Sequence, residues 1–341
     1  MKYDVTIGIP VYNSVDYIQR SIASALNQTY SSVEILVIDD CGSDGSIDII
    51  EWMKAEHPRG SDIRIIKQSR NMGVAAARNR IIDDALGEYL YFMDSDDVIA
   101  ENSIELLMQH IRQYDAEIAF GSYERIELTG KKTVYQYPAI QLLGEDKLAI
   151  WAYRKYSGIQ ASACNYLVKT SVLRKHQHQF INTDYWEDLV FTFDLVTMIN
   201  RAILLPDITY SYLCRDNSLS NYQQRNQISK DEIMKNVHSI EHLKQTSSIL
   251  YNKVYFPNRC FNIMMTDFYI ACQIIKRRKE IVPSISNQEI KAVLSYPITF
   301  QQIWHFRQSR LKNLSIYLLS KLPPSLCVAA LWMIGKVKKL L

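Results

Sequence analysis

The chain has 341 residues, 48% of them hydrophobic and 22% charged, a balance that supports a packed core and excludes an intrinsically disordered polymer. The net charge of +3 is uneven: past Glu289 stand eight basic residues (Lys291, Arg307, Arg310, Lys312, Lys321, Lys336, Lys338, Lys339) and no acidic one, so the body is net negative, which argues against nucleic acid as a partner. Six scattered cysteines without a Cys-x-x-Cys pair fit a reducing, cytosolic setting, and no export signal is expected at the N-terminus.

Val5 to Ile9 reads as a strand, after which Val15, Ile18, Ile22 and Leu26 recur at helical spacing, with Asn13 or Ser14 available as a cap. A second apolar run, Val33 to Ile38, meets the turn-rich Asp39-Asp40-Cys41-Gly42-Ser43-Asp44-Gly45, and Ile47 to Ala55 reads as a helix. The unit then repeats: strand at Ile63 to Ile66, Ala-rich helix at Val74 to Ala85, buried strand at Tyr89 to Met93 running into Asp94-Ser95-Asp96-Asp97. Such an order predicts a parallel sheet with helices on both faces and ligands at the carboxyl ends of the strands. Tyr12-Asn13, Asp39-Asp40 and Asp94 to Asp97 each follow a strand, so they are expected to line one crevice. Mixed signals follow from Ala116 to about Tyr222: a strand at Ile118 to Phe120, a helix near Asp146 to Tyr156, and Trp186-Glu187-Asp188 opening another helix. Residues from about Ser229 to Lys279 read as helical, with Phe261, Met264, Met265, Phe268 and Ile275 as a packing face.

Acids clustered at a strand end repel one another unless a cation is present. Asp94 and Asp96, two apart on an extended segment, point the same way and could address one metal-bound donor, with Mg²⁺ or Mn²⁺ as the cation that prefers carboxylate oxygens. Asp39-Asp40 reads either as a turn and helix cap or as a hydrogen-bond acceptor for a pyrimidine N–H. Arg78, on an otherwise Ala-rich helix, could face a phosphate.

Val5 to Asn13 (VTIGIPVYN), Ile38 to Ser46 (IDDCGSDGS), Asn71 to Asn79 (NMGVAAARN) and Tyr91 to Asp97 (YFMDSDD), in this order, resemble the motif series of glycosyltransferase family 2. The resemblance is strong over residues 4–120 and looser to about Ser220. It implies a GT-A nucleotide-sugar-binding, Rossmann-like fold with a helical C-terminal extension, and an inverting transfer of a sugar from a nucleotide-diphosphate donor, UDP-linked by expectation, to a hydroxyl of a glycan or lipid-linked acceptor in bacterial surface polysaccharide synthesis. Carried onto matching positions, it implies that Pro10, Tyr12 and Asp40 hold the base, with Asp39 equally placed because Cys41 interrupts the family's Asp-Asp-Gly-Ser. Asn71 and Arg78 would lie along the donor, Asp94 with Ser95 would reach ribose or sugar, and Asp96, with Asp94, would hold the metal. Tyr185-Trp186-Glu187-Asp188 resembles the Glu-Asp pair whose Asp, here Asp188, is the catalytic base, with Glu187 as the alternative. Tyr212 to Ser218 resembles the segment that brings Arg215 to the pyrophosphate. The chain is expected to divide into a nucleotide-sugar-binding half at 1–120 and an acceptor half at 121–225, both on the resemblance, followed by a helical extension at 226–300 and a basic amphipathic, membrane-associating tail at 301–341, both on residue pattern and charge.

Three rival readings are weighed. His238-Ser239-Ile240-Glu241-His242 has the spacing of a zinc-protease helix, although a surface pair is the commoner meaning. A phosphatase with an Asp nucleophile would carry its D-x-D after the first strand, where this chain reads Pro10-Val11-Tyr12. A binding module that keeps the fold without transfer is the non-enzymatic alternative. His176 and His178 read as exposed loop residues. In the tail, Ser325 to Gly335 is uncharged for eleven residues, short of the ~20 needed to cross a bilayer. An interfacial helix is therefore expected, with Leu326, Leu331, Trp332 and Ile334 on an anionic membrane surface and Lys336, Lys338 and Lys339 near headgroups, placing the chain at the inner face of the cell membrane.

Overall fold

The computed structural model describes residues 3–154, 158–183, 186–215 and 227–341. Contacts divide the chain into two units, one of residues 1–148 and 161–218 and one of residues 149–160 and 219–341.

The first unit is built on one mixed sheet. Its elements are β1 (Tyr3–Val11), α1 (Ile18–Leu26), β2 (Val33–Asp39), α2 (Ser46–Glu56), β3 (Ile63–Lys67), α3 (Val74–Asp84), β4 (Gly87–Phe92), β5 (Val98–Ile99), α4 (Ser103–Tyr114), β6 (Ile118–Ile126), β7 (Lys132–Tyr135) and β8 (Ile140–Leu143). The chain leaves this unit within α5 (Lys147–Arg154) and returns for β9 (Tyr166–Lys169), α6 (Thr170–Lys175), α7 (Glu187–Leu195) and β10 (Arg201–Leu213). The sheet order is β3-β2-β1-β4-β9-β6-β10-β5, with β7 on β6 and β8 on β10. β3, β2, β1 and β4 run parallel, β9 is antiparallel to both its neighbours, and β10 is parallel to β6. Buried on both faces over most of their length because helices cover them, β1 and β2 are mainly apolar, with Thr6 and Glu34 as interior polar exceptions.

Two glycines set close approaches. A Cβ at Gly8 would fall 2.3 Å from Ile81 of α3, and one at Gly87 would fall 2.4 Å from the backbone nitrogen of Thr6 on β1. The Thr6 hydroxyl also accepts a 2.8 Å hydrogen bond from the Gly87 N–H and donates to Glu34, whose other oxygen takes Arg64.

The expected cap of α1 is not used. Tyr17 stands before Ile18 without a side-chain cap, because Asn13 and Ser14 are engaged with other strand-end loops.

The second unit contains β11 (Ile228–Ser229), α8 (Lys230–Ser247), α9 (Phe256–Lys276), β12 (Ile281–Val282), α10 (Asn287–Val293), α11 (Phe300–Trp304), α12 (Arg310–Lys321) and α13 (Pro324–Val337). The helical stretch expected over 229–279 is two helices, broken at Ser248 to Tyr255. α9 is buried over most of its circumference, so Met264 and Phe268 are core while Phe261, Met265 and Ile275 are half-buried. Its polar residues are interior too. Arg259 is fully buried, donates to the Ser247 and Tyr153 hydroxyls and lies over the Tyr153 ring. Lys244 reaches Asp267 and Glu241, each at 2.6 Å, and burial pushes the Asp267 carboxyl up to about 7 against the pull of Lys244. Glu241 also accepts from Ser295. The acid of the His238-to-His242 segment is thus taken by a lysine and a serine, and His238 is exposed, which removes the basis of the zinc reading.

Gly87→Ala is expected to lower stability by about 1–3 kcal/mol, the cost of forcing a methyl into a packed contact, because backbone cannot give way as a side-chain tip does. The midpoint of urea unfolding measures this, and an unchanged midpoint would show that β1 and β4 part more easily than their register implies.

Candidate active site

The polar loops after β1, β2 and β4 are tied together at the carboxyl end of the parallel strands. The Ser43 N–H donates to Asn13 Oδ1 (2.9 Å), the Ser14 N–H to Ser46 Oγ (2.8 Å), the Val15 N–H to Asp44 Oδ2 (2.8 Å), and the Ser14 and Ser95 hydroxyls lie 2.7 Å apart. Gly42 is required there, since a Cβ would sit 2.9 Å from the Asn13 backbone nitrogen. Pro10 pairs with Ile38 across the β1–β2 register, and Tyr12 follows with half its surface exposed.

Asp39 and Asp40 divide their work. Asp40 accepts from the Gln68 amide (2.6 Å), the Met72 N–H (2.7 Å) and the Gly73 N–H (2.9 Å), so both its oxygens fix the loop that leads into α3. Asp39 accepts from the Cys41 N–H, and its second oxygen has Lys67 at 4.0 Å. Asn71 is exposed on that loop.

Arg78 is buried instead of lying open to a phosphate. Its Nη1 donates to Glu187 Oε1 and its Nη2 to Asp94 Oδ1, both at 2.8 Å, and the guanidinium sits 5.4 Å from the centre of the Phe180 ring. Phe180 is fixed in turn: its backbone N–H and C=O are both hydrogen-bonded to the Asn79 side chain, and its ring stacks on Phe191 at 3.8 Å. His178 continues the stack and contacts the Phe191 carbonyl at 2.9 Å through Nε2, so it is buried, contrary to the sequence expectation; His176 is exposed.

Asp94 to Asp97 form a short turn whose members face different partners. Asp96 Oδ2 lies 2.7 Å from Arg215 Nε, and its carbonyl accepts from Arg20. Both guanidiniums flank the Tyr17 ring, at 5.4 and 5.0 Å. Asp97 accepts from the Tyr210 hydroxyl (2.6 Å) and the Leu213 N–H (2.8 Å). Burial, then the charge of Asp94, raises the Asp96 and Asp97 carboxyls above the usual range. Tyr210, Arg20 and Tyr17 carry no role in the sequence reading, and Asp97 only a place in the crevice; the third acid in Asp94-Ser95-Asp96-Asp97 is the one signal that points toward them.

Asp188 is half-buried at the start of α7. Its Oδ1 accepts from the Leu189 N–H at 2.7 Å, and among the described residues its Oδ2 has no hydrogen-bond partner. Burial, then the neighbouring charge of Glu187, pushes its carboxyl up to about 7, with Arg78 opposing. Tyr185 and Asp216 to Ser218 lie outside the described residues. A cavity of about 410 Å³ lined by Glu117, Lys169, Lys175 and Arg201 lies at the amino ends of β6 and β10, away from these acids.

The donor set fits a hard divalent cation. Asp94 and Asp96 offer carboxylate oxygens close together, and burial, then the charge of Asp94, raises the Asp96 carboxyl against the pull of Arg215. Among the described residues no three His, Cys, Asp or Glu side chains form a complete cage, so a cation held here would complete its shell from a diphosphate and water.

The profile of glycosyl transferase family 2 matches residues 6–176, and the chain belongs to that family. It is similar to glycosyltransferase GlyG of Streptococcus pneumoniae, 26% identical over 224 residues that span 63% of this chain and 72% of that protein. It is also similar to the succinoglycan biosynthesis protein ExoO of Rhizobium meliloti, 26% identical over 223 residues, spanning 64% and 62% of the two chains. Among solved structures, S. aureus TarS (residues 1–349, with UDP-GlcNAc) superposes with a TM-score of 0.56 at 16% identity, covering 93% of this chain and 90% of TarS. The mannosyltransferase PcManGT of Pyrobaculum calidifontis (with GDP-Man and Mn²⁺) gives 0.52 at 14% identity, covering 100% and 88%. The fold is GT-A with a helical C-terminal region, and the chain is a glycosyltransferase.

Arg78→Met leaves the buried Glu187 and the half-buried Asp94 without their cation. It is expected to cost about 3–5 kcal/mol at pH 8, the usual result of breaking a buried pair from one side. The midpoint of urea unfolding at pH 8 measures this, and an unchanged midpoint would show that the two ion pairs add nothing to stability.

Proposed function

We propose that this enzyme transfers a hexose with inversion from a nucleotide-diphosphate sugar, UDP-linked, to a hydroxyl of a glycan or lipid-linked acceptor in surface polysaccharide synthesis, working at the inner face of the cell membrane. The observation that carries the reading is the contrast between Glu187 and Asp188. Glu187 is bound to Arg78, whereas the Asp188 carboxyl has a raised pKa and an oxygen without a partner among the described residues. A carboxylate of that kind takes the proton of an acceptor alcohol as the new bond forms, and it does so best when its pKa approaches the working pH. The ligands of TarS and PcManGT and the pathway of ExoO support the choice of donor class and product class.

In this reading Pro10 and Tyr12 flank the base and Asp39 meets its N–H, since Asp40 is spent on the loop at Gln68 to Gly73. Asn71, Asp94 and Ser95 lie along ribose and sugar. Arg78 acts through Asp94 and Glu187 and does not itself touch phosphate. Asp96, with Asp94, holds Mg²⁺ or Mn²⁺, which when bound neutralises charge on the leaving diphosphate. Arg215, now on Asp96, would serve the same diphosphate.

Asp188→Asn is expected to lower the transfer rate by about two to four powers of ten, the usual worth of a general base, with donor affinity nearly unchanged. In the unmodified enzyme the rate should rise with pH through about 7 as Asp188 loses its proton. Titration of UDP-sugar alongside turnover tests this; weakened donor binding with turnover kept at saturation would make Asp188 a binding residue.

Asp96→Asn should remove both transfer and the response to added Mn²⁺ while the circular dichroism spectrum stays unchanged. Mn²⁺-stimulated hydrolysis of UDP-sugar surviving in that variant would take Asp96 out of the metal site.

A further inference from the structure

α13 is apolar on two opposite sides. Cys327, Leu331 and Gly335, spaced by four, are buried, and the helix packs on α9 and α10. Leu331 is therefore a core residue, which corrects its expected place among membrane contacts. The outward side carries Leu326, Met333 and Val337, which are 58%, 61% and 84% exposed, with Trp332 and Ile334 beside them. A helix that is apolar around its circumference is ordinarily enclosed, and an outward stripe of this kind marks a surface that something covers. On α12, Leu311 and Leu318 are also exposed, two turns apart, among Arg310, Lys312 and Lys321.

The charge around the stripe identifies the cover. Lys336 in the last turn of α13 is followed by Lys338 and Lys339 just past the helix, and no acidic residue follows Glu289. The Lys336 ammonium stands 4.0 Å from the centre of the Trp332 ring, at the border between apolar face and charge. Protein interfaces are depleted in lysine, whereas aliphatic side chains rimmed by Trp and Lys are what the headgroup layer of an anionic bilayer accepts. No described helix is long and apolar enough to cross a membrane, so the contact is one of surface.

We infer that the outer face of α13 lies in the interfacial layer of an anionic membrane, with Leu326, Trp332, Met333 and Val337 at the acyl boundary and Lys336, Lys338 and Lys339 on lipid phosphates. This deepens the membrane placement proposed above and does not depend on donor or acceptor. The test is sedimentation of the full chain with vesicles of phosphatidylglycerol and phosphatidylcholine in equal parts, against phosphatidylcholine alone, at low and high salt. Binding to the anionic vesicles should exceed binding to the neutral ones by at least about tenfold and fall with salt. Met333→Glu with Val337→Glu should remove it while circular dichroism and hydrolysis of UDP-sugar in vesicle-free buffer stay unchanged, so that failure here is separable from failure of the transferase reading. A full chain left in the supernatant, or a double variant that sediments like the unmodified protein, overturns the inference. A dimer that the double variant dissolves, without vesicle binding, would assign the face to a second copy instead.

Discussion

Arg78 reaches from α3 to Asp94 at the end of β4 and to Glu187 at the start of α7, and the arrangement of acids around it follows from that one bridge. Two carboxyls from distant parts of the sequence meet there in a partly dry space, with Asp188 next to Glu187, and without a cation they would repel one another. One guanidinium, planar and always charged, satisfies both at once with bonds of ordinary length. The Phe180–Phe191–His178 stack holds the guanidinium from the side, and Asn79, next in sequence to Arg78, locks Phe180 in place.

The bridge also separates roles among the acids. Glu187 and Asp94 are held by Arg78, Asp97 is held by Tyr210 and Leu213, and Asp40 is held by the loop before α3. Outside that bridge stand Asp188, its carboxyl raised first by burial, and Asp96, paired with Arg215 beside the Tyr17 ring. Acids whose pKa values are raised by burial and by one another gather at sites that bind or transfer something.

Much of the first unit was legible in the sequence. Apolar runs such as Val33 to Ile38 become strands within a residue or two, and the acids that follow them gather at one end because parallel strands leave all their carboxyl ends together. The later strands were harder to read, since β9 and β10 enter a mixed sheet out of chain order and their pairing is set by partners far away. The fate of individual polar residues was the least legible. Arg78 is 109 residues from Glu187, so its helix predicts an open cation where the fold makes a buried one. His178 lies in a basic stretch that reads as surface, yet its ring finds an aromatic stack, and Leu331 falls on the packed side of a helix whose other side is equally apolar.

In the proposed arrangement Arg78 remains across Asp94 and Glu187 while donor and metal use Asp96 and leave Asp188 facing the acceptor. A crystal structure with UDP-sugar and Mn²⁺ tests it most directly, since the metal is visible by its anomalous signal. The expected result is a metal beside Asp96, Arg215 moved off that carboxylate, and Arg78 still bonded to both acids. Arg78 turned onto the diphosphate, with Asp94 and Glu187 released, would contradict it.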